Sequence, residues 1–179
     1  MTREHLLGLY QTKLNHITLT YASMILWCYP DTPRAYLELY EQMRPKLPSK
    51  PGVLLDAEPL INNEEALRIA TNELYESAHR AAIKELLPLT KLYCNSTGQL
   101  DLMKAQSWFE FWRIIRNCWS HDMTFNFNTH EKAVLPVTWS GVTLEISMNG
   151  KHLTHGLCSR EKLRELLWAA RGFVLNDLA

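Results

Sequence analysis

The stretch FWRIIRNCWSHD, Phe111 to Asp122, sets two arginines, an asparagine, a serine and a histidine among bulky apolar residues. Placed on a helix at about 100° per residue, Trp108 to His121 separates into two faces. Trp108, Phe111, Trp112, Ile115, Cys118 and Trp119 fall on one side. Glu110, Arg113, Arg116, Asn117, Ser120 and His121 fall on the other. Phe109 is the exception, a large aromatic inside the polar arc, which marks it as an exposed residue suited to an interface. Arg113, Asn117 and His121 follow one another at i, i+4 and i+8, with Arg116 and Ser120 in the adjacent row, so their groups converge near the last turn. The residue types suit work on phosphate. An imidazole is the side chain whose unperturbed pKa makes it a base near neutral pH. A guanidinium is a permanently charged planar fork that matches phosphate oxygens. The same pattern also fits a plain amphipathic helix, in which a histidine in the last turn favours the negative end of the dipole.

Several elements must hold that helix in place. Leu6, Tyr10, Leu14, Ile17, Tyr21, Met24, Ile25 and Cys28 recur at helical spacing and predict a long first helix that stops at Pro30. Pro33 opens a second, short helix ending near Met43. Arg44 to Leu60 contains four prolines and reads as an irregular loop, its basic edge made by Arg44, Lys46 and Lys50. Asn63 with Glu64 and Glu65 suits a helix start, and Leu67, Ala70, Leu74, Ala78 and Ala81 carry that helix to about Leu87, where Pro88 kinks or ends it. Asn95 to Gly98 is a turn. Helical character resumes near Leu102 and runs through the motif. Leu135 to Trp139, Val142 to Met148 and Lys151 to Thr154 read as three short strands, separated by Ser140-Gly141 and Asn149-Gly150. Ser159 caps a last helix with Leu163, Leu166, Leu167, Ala170 and Val174 on one face. The predicted fold is mainly α, one domain over 1–179: N-terminal helices and a Pro-rich loop (1–61), core helices with the motif (62–122), a small antiparallel β-meander (123–157) and a C-terminal helix (158–179).

Composition narrows the partners. Apolar residues make up 46% and charged residues 21%, ordinary for a globular chain, and 19 Lys plus Arg balance 19 Asp plus Glu. No global field draws the protein to polyanions, so a nucleic-acid partner must be held by a local patch. Ile17 to Tyr29, the longest weakly polar run, is too short to span a bilayer, and the opening residues show no leader pattern; the expectation is a cytoplasmic protein with no membrane partner. Cys28, Cys94, Cys118 and Cys158 are far apart and suggest neither a zinc site nor a disulfide framework. His152 and His155 are spaced like a weak metal pair but lack a third ligand, so no metal and no cofactor is expected. Cys118 reads as core rather than as a nucleophile. Tryptophans 108, 112, 119 and 139 could stack on bases, and at their spacing the first three read as core. His79 reads as a surface or buried hydrogen-bonded histidine, with Glu73 and Glu76 on the same helix. Asp122 either orients His121 or caps the strand that follows.

Arg116-Asn117-Cys118-Trp119-Ser120-His121 resembles the R-N-x-x-x-H motif of the HEPN superfamily (higher eukaryote and prokaryote nucleotide-binding domains). In that family an Arg is followed after four to six residues by His, with a polar residue directly after the Arg. The motif lies in the second half of a helical bundle, after an apolar helix and before one more packing helix, and the present chain has that placement from about Asn63 to its end. With 10 Arg and 7 His, about one such spacing arises by chance, so the placement carries the resemblance. Some members carry a tyrosine two residues beyond the histidine where this chain has Met123, which points away from the AMP-transferring branch.

The resemblance implies a HEPN-like bundle and a metal-independent endoribonuclease that works as a homodimer, both motifs facing one cleft. His121 would draw the proton from the 2′-hydroxyl and Arg116 would stabilise the crowded phosphate. Asn117 would hold the imidazole or bond a phosphate oxygen, and Arg113 and Ser120 would add phosphate contacts. The attacking group belongs to the substrate, so DNA should be spared and a 2′,3′-cyclic phosphate left behind. A two-fold dimer would supply a second His121, with Phe109 at the interface. The implied setting is a bacterial toxin or phage-defence effector, with RNA as substrate and an antitoxin protein as partner. The rivals are a non-catalytic HEPN module that binds a nucleotide or a partner protein, and a purely structural helical adaptor.

Overall fold

The computed structural model describes residues 1–43 and 57–179. The predicted basic edge of Arg44, Lys46 and Lys50 lies outside the described residues. The protein is mainly helical: α1 Arg3–Trp27, α2 Thr32–Met43, α3 Glu58–Ile61, α4 Glu64–Ser96, α5 Leu100–Lys104, α6 Phe109–Ser120, α7 Thr129–Val134 and α8 Arg160–Asn176, with one antiparallel hairpin of β1 Val137–Trp139 and β2 Val142–Leu144. Two compact units form, Met1–Leu14 with His79–Ala179, and Asn15–Ala78. α1 and α4 contribute residues to both.

In the first unit, Leu6 and Tyr10 of α1, Ile83 and Leu86 of α4 and Leu166 and Leu167 of α8 are fully buried. The Thr90 hydroxyl donates to the Leu86 carbonyl at 2.8 Å, so the Tyr10 hydroxyl, 2.8 Å away, donates to Thr90. α8 starts as predicted: the Ser159 hydroxyl caps it by accepting from the Lys162 amide. Its buried face holds all five predicted residues, with Phe173 added. Arg3 donates to the Val174 carbonyl at 3.0 Å and to that of Leu175, placing a cation on the negative end of α8.

Three expectations change here. α4 does not end at Pro88 but runs to Ser96. Residues on both sides of the proline are buried, Leu86 and Leu87 before it and Thr90 and Cys94 after, and that packing outweighs the roughly 3 kcal/mol penalty of an interior proline. The helix predicted from Leu102 through the motif is broken into α5 and α6. Met103 and Trp108 are both buried, and five residues on a straight helix would point them about 140° apart. The β-meander is a two-stranded hairpin; Ile146–Met148 is a 3-10 turn, and the third segment pairs elsewhere. The Phe125 amide donates to the Lys151 carbonyl at 3.0 Å, the Gly150 amide to the Phe125 carbonyl at 2.7 Å, and Thr124 bridges His152. Lys151 to Thr154 thus satisfies the backbone that leaves α6.

In the second unit Ile17, Ile61, Leu67, Thr71 and Tyr75 are buried, whereas α2 buries no residue fully. The periodicity of α1 fails as a burial guide there: Tyr21, Ile25 and Cys28 are exposed. Tyr21 packs on Tyr75 and Trp27 on Tyr36, each with ring centres 5.4 Å apart. Asn63 opens α4 as predicted, its side chain accepting from the Ala66 amide at 3.0 Å. Glu58–Ile61, which overlaps the end of the predicted irregular loop, is a single helical turn with its proline in the first positions, where no helical N–H is needed.

Replacing Tyr10 by Phe keeps the ring in its site and strips Thr90 of its donor. Equilibrium urea unfolding should show a loss of about 1 kcal/mol with an unchanged slope; an unchanged midpoint would mean the bond contributes nothing.

Candidate functional site

α6 sits at the centre of the first unit. Phe111, Trp112, Ile115, Cys118 and Trp119 are buried as the helical wheel predicts, and Trp108 is buried just before the first turn. Trp112 donates its indole N–H to the Ile83 carbonyl at 3.0 Å, and Trp108 meets Phe173 of α8 at 5.6 Å between ring centres. Phe109 is only 6% exposed, which overturns its role as an exposed interface residue. A helical wheel assumes one flat core, but this helix is enclosed over most of its girth: Ile114, off the predicted apolar face, is buried too.

The polar arc is roofed by α7. Asn128 and Glu131 form a reciprocal cap at its start: Asn128 Oδ1 accepts from the Glu131 amide at 3.0 Å, and Glu131 Oε2 accepts from the Asn128 amide at 2.9 Å. Glu131 is 1% exposed. Its other oxygen, Oε1, accepts from Asn117 Nδ2 at 2.6 Å and from Arg113 Nη1 at 3.3 Å. A buried carboxylate persists only where such donors surround it. Arg113 Nε also donates to Glu110 Oε2 at 2.7 Å, and Glu110 reaches the exposed His130 at 3.4 Å. Arg113 is therefore neutralised by two carboxylates.

The predicted residues are thus distributed unequally. Arg113 and Asn117, both half-buried, meet on the buried Glu131 carboxylate. Arg116, half-buried, donates through Nε to the Lys84 carbonyl at 3.3 Å and through Nη1 to Asn117 Oδ1 at 3.4 Å. Asn117 is thereby engaged at both ends of its amide and makes no contact with the imidazole. The Ser120 hydroxyl donates back to the Arg116 carbonyl at 3.0 Å. His121 is the C-cap, exposed, its amide bonded to the Cys118 carbonyl at 3.0 Å and its imidazole without a polar partner among the described residues. Asp122 and Met123 follow in the left-handed region, φ 51° and 58°. Two consecutive left-handed residues without glycine are strained, and they turn the chain sharply behind His121. The Asp122 carboxylate makes no hydrogen bond or ion pair with His121 or any other described side chain, leaving it no orienting role.

The other candidates settle into structural places. His79 is fully buried, and Trp139 packs on Phe111 at 5.6 Å. Burial pushes the thiol of Cys94 up to about 11 and those of Cys118 and Cys158 up to about 12. His152 Nδ1 lies 2.9 Å from the Leu153 carbonyl, which holds the proton on Nδ1 in the neutral ring and leaves Nε2 as the basic nitrogen. Among the described residues no three His, Cys, Asp or Glu side chains gather into a metal site, and no helix is long and apolar enough to cross a membrane.

Sequence reasoning missed Glu131 and α7. Asn128-Thr129-His130-Glu131 carries the capping-box spacing in the sequence, and that signal would have found the helix. Nothing local announces that the same carboxylate collects Asn117 and Arg113. No protein-family profile, curated protein or solved structure matches this chain.

Two outcomes follow. Among the four cysteines, native protein should take iodoacetamide at Cys28 alone at pH 8, because thiols titrating near 11 to 12 hold less than about 0.1% thiolate there. Mass spectrometry reads this, and rapid labelling of Cys118 would contradict the burial. Asp122→Gly should raise unfolding stability by about 0.5–1 kcal/mol through release of the left-handed strain, and a destabilised variant would show that the turn is not strained.

Proposed function

We propose that this chain is a HEPN-type, metal-independent endoribonuclease that cleaves RNA by 2′-hydroxyl transphosphorylation. The observation that carries the proposal is that the motif keeps an unengaged imidazole and, five residues before it, a fixed guanidinium. Among the described residues, His121 stands exposed at the end of α6 with no polar partner, and Arg116 lies on the preceding turn with Nη2 unused. Five groups were predicted to act together, and the geometry supports a smaller reacting set. His121 takes the proton from the 2′-hydroxyl as the oxygen attacks the adjacent phosphorus. Arg116 bonds the non-bridging oxygens, whose charge rises in the transition state. The bond from phosphorus to the 5′-oxygen then breaks, leaving a 2′,3′-cyclic phosphate and a 5′-hydroxyl. Asn117 and Arg113 act from behind through Glu131, and Ser120 buttresses the Arg116 carbonyl.

The departing 5′-oxygen needs a proton, which a second copy's His121 would supply in a two-fold dimer. The burial of Phe109 removes one surface argument for that dimer and leaves the chemical one. The HEPN-like bundle, a cytoplasmic toxin or phage-defence setting and an antitoxin partner belong to the same proposal and rest on the motif and its placement.

A second reading is a non-catalytic HEPN module that binds a nucleotide or a partner protein. It is favoured by the neutralisation of Arg113 between Glu110 and Glu131, which leaves Arg116, of the two motif arginines, able to meet a phosphate.

RNA incubated with the protein in excess chelator separates the two. Wild type should yield cyclic-phosphate ends. His121→Ala should be slower by about 100-fold or more and Arg116→Ala by about 100-fold, and a 2′-deoxy nucleotide at the cleaved position should block the reaction. Retained RNA binding with no cleavage by wild type would support the second reading. Equal cleavage by wild type and His121→Ala would remove the nuclease reading.

A further inference from the structure

We infer that Pro88 and Glu131 are positioning residues that hold the Arg116 guanidinium from two directions. Its catalytic consequence rests on the nuclease reading; the geometry does not. An arginine on an open helix face samples many rotamers, and ordering it opposes phosphate binding. Arg116 is instead anchored at Nε by the Lys84 carbonyl and at Nη1 by Asn117 Oδ1.

The first anchor exists because residue 88 is a proline. In an unbroken helix the Lys84 carbonyl would accept from the backbone N–H four residues on, and Pro88 has none. The guanidinium takes the place of that missing donor. The carbonyl one residue earlier, that of Ile83, accepts the Trp112 indole N–H, so α6 docks on two successive α4 carbonyls at the proline.

The second anchor exists because Glu131 is a carboxylate. A carboxylate only accepts, so its 2.6 Å bond to Asn117 fixes which end of the amide is the NH2 group. The carbonyl end must then face Arg116. A flipped amide would set oxygen against oxygen at Glu131 and NH2 against guanidinium at Arg116. Held at Nε and Nη1, the fork leaves Nη2, which has no partner among the described residues, to meet a substrate oxygen.

Arginine Nε–Hε NMR spectra test this without any substrate, with the Arg116 signal assigned by its loss in Arg116→Lys. In wild type the signal should be resolved and slow to exchange. Pro88→Ala restores the helical N–H, so thermal unfolding should move to higher temperature while Arg116 Hε exchange speeds up about 10-fold or more. Glu131→Gln keeps the side-chain volume but offers one acceptor oxygen where donors now occupy two, and should loosen the same signal. In the chelator-resistant cleavage reaction both variants should lose about 10- to 100-fold in kcat, with KM changed far less. A merely structural proline predicts the opposite for Pro88→Ala, a more stable protein of unchanged activity. Wild-type Arg116 signals in both variants would overturn the inference. Altered signals in a protein that cleaves no RNA would sustain it and defeat the nuclease reading instead.

Discussion

The buried carboxylate of Glu131 is the constraint on which the motif region depends. Placing an ionised carboxylate where it is 1% exposed is tolerable only if its oxygens are fully served, and here three donors do so: the Asn128 amide, Asn117 and Arg113. Asn117 and Arg113 come from α6 while Glu131 and its Asn128 cap belong to the start of α7, so the charge ties α7 onto the polar arc of α6. The chain leaving α6 must then reverse at once to bring residue 131 back beside residues 113 and 117. The left-handed pair Asp122-Met123 makes that reversal. Phe125 and its neighbours pair with Lys151 to Leu153, so the returning backbone is not left without partners. The failure of the third predicted strand and the strained turn behind His121 share this cause.

The same constraint reassigns the charges. Six polar side chains on one helical face look equivalent on a wheel. Once α7 covers the arc, Arg113 becomes part of an internal ion network with Glu110 and Glu131, and Asn117 becomes its hydrogen-bonded neighbour. His121, at the C-terminal end, is exposed, and Arg116, half-buried like Arg113 and Asn117, meets no carboxylate among the described residues. A chain with balanced charge overall therefore presents, among the described residues of the motif, an anchored guanidinium at Arg116 and an exposed imidazole at His121.

α4 shows a related effect. A proline inside a 33-residue helix is a local fault, and local reasoning kinks or ends the helix there. Burial on both sides carries the helix through, and the carbonyl deprived of its donor becomes a docking point for α6. The fault and the contact are one feature of the fold.

Much was legible in the amino-acid order. Periodicity and caps located α1, α2, the start of α4 at Asn63 and the whole of α8 behind Ser159, because helix starts are governed by hydrogen bonds within a few residues. The apolar face of α6 was legible as well, since residues three and four apart share a side whatever surrounds the helix. The division of the polar arc into internal and accessible groups was not. Whether Arg113 or Arg116 is neutralised depends on Glu131, 18 and 15 residues away respectively. Whether Phe109 is covered depends on how much of the helix's girth the core encloses. Pairing over such separations is decided by packing and by the cost of an unserved buried charge. The sequence by itself determined where the helices run and which residue types stand on the motif face. Only the tertiary structure decided which of them remain free to meet a substrate, because burial and ion pairing are properties of neighbours that the chain brings together on folding.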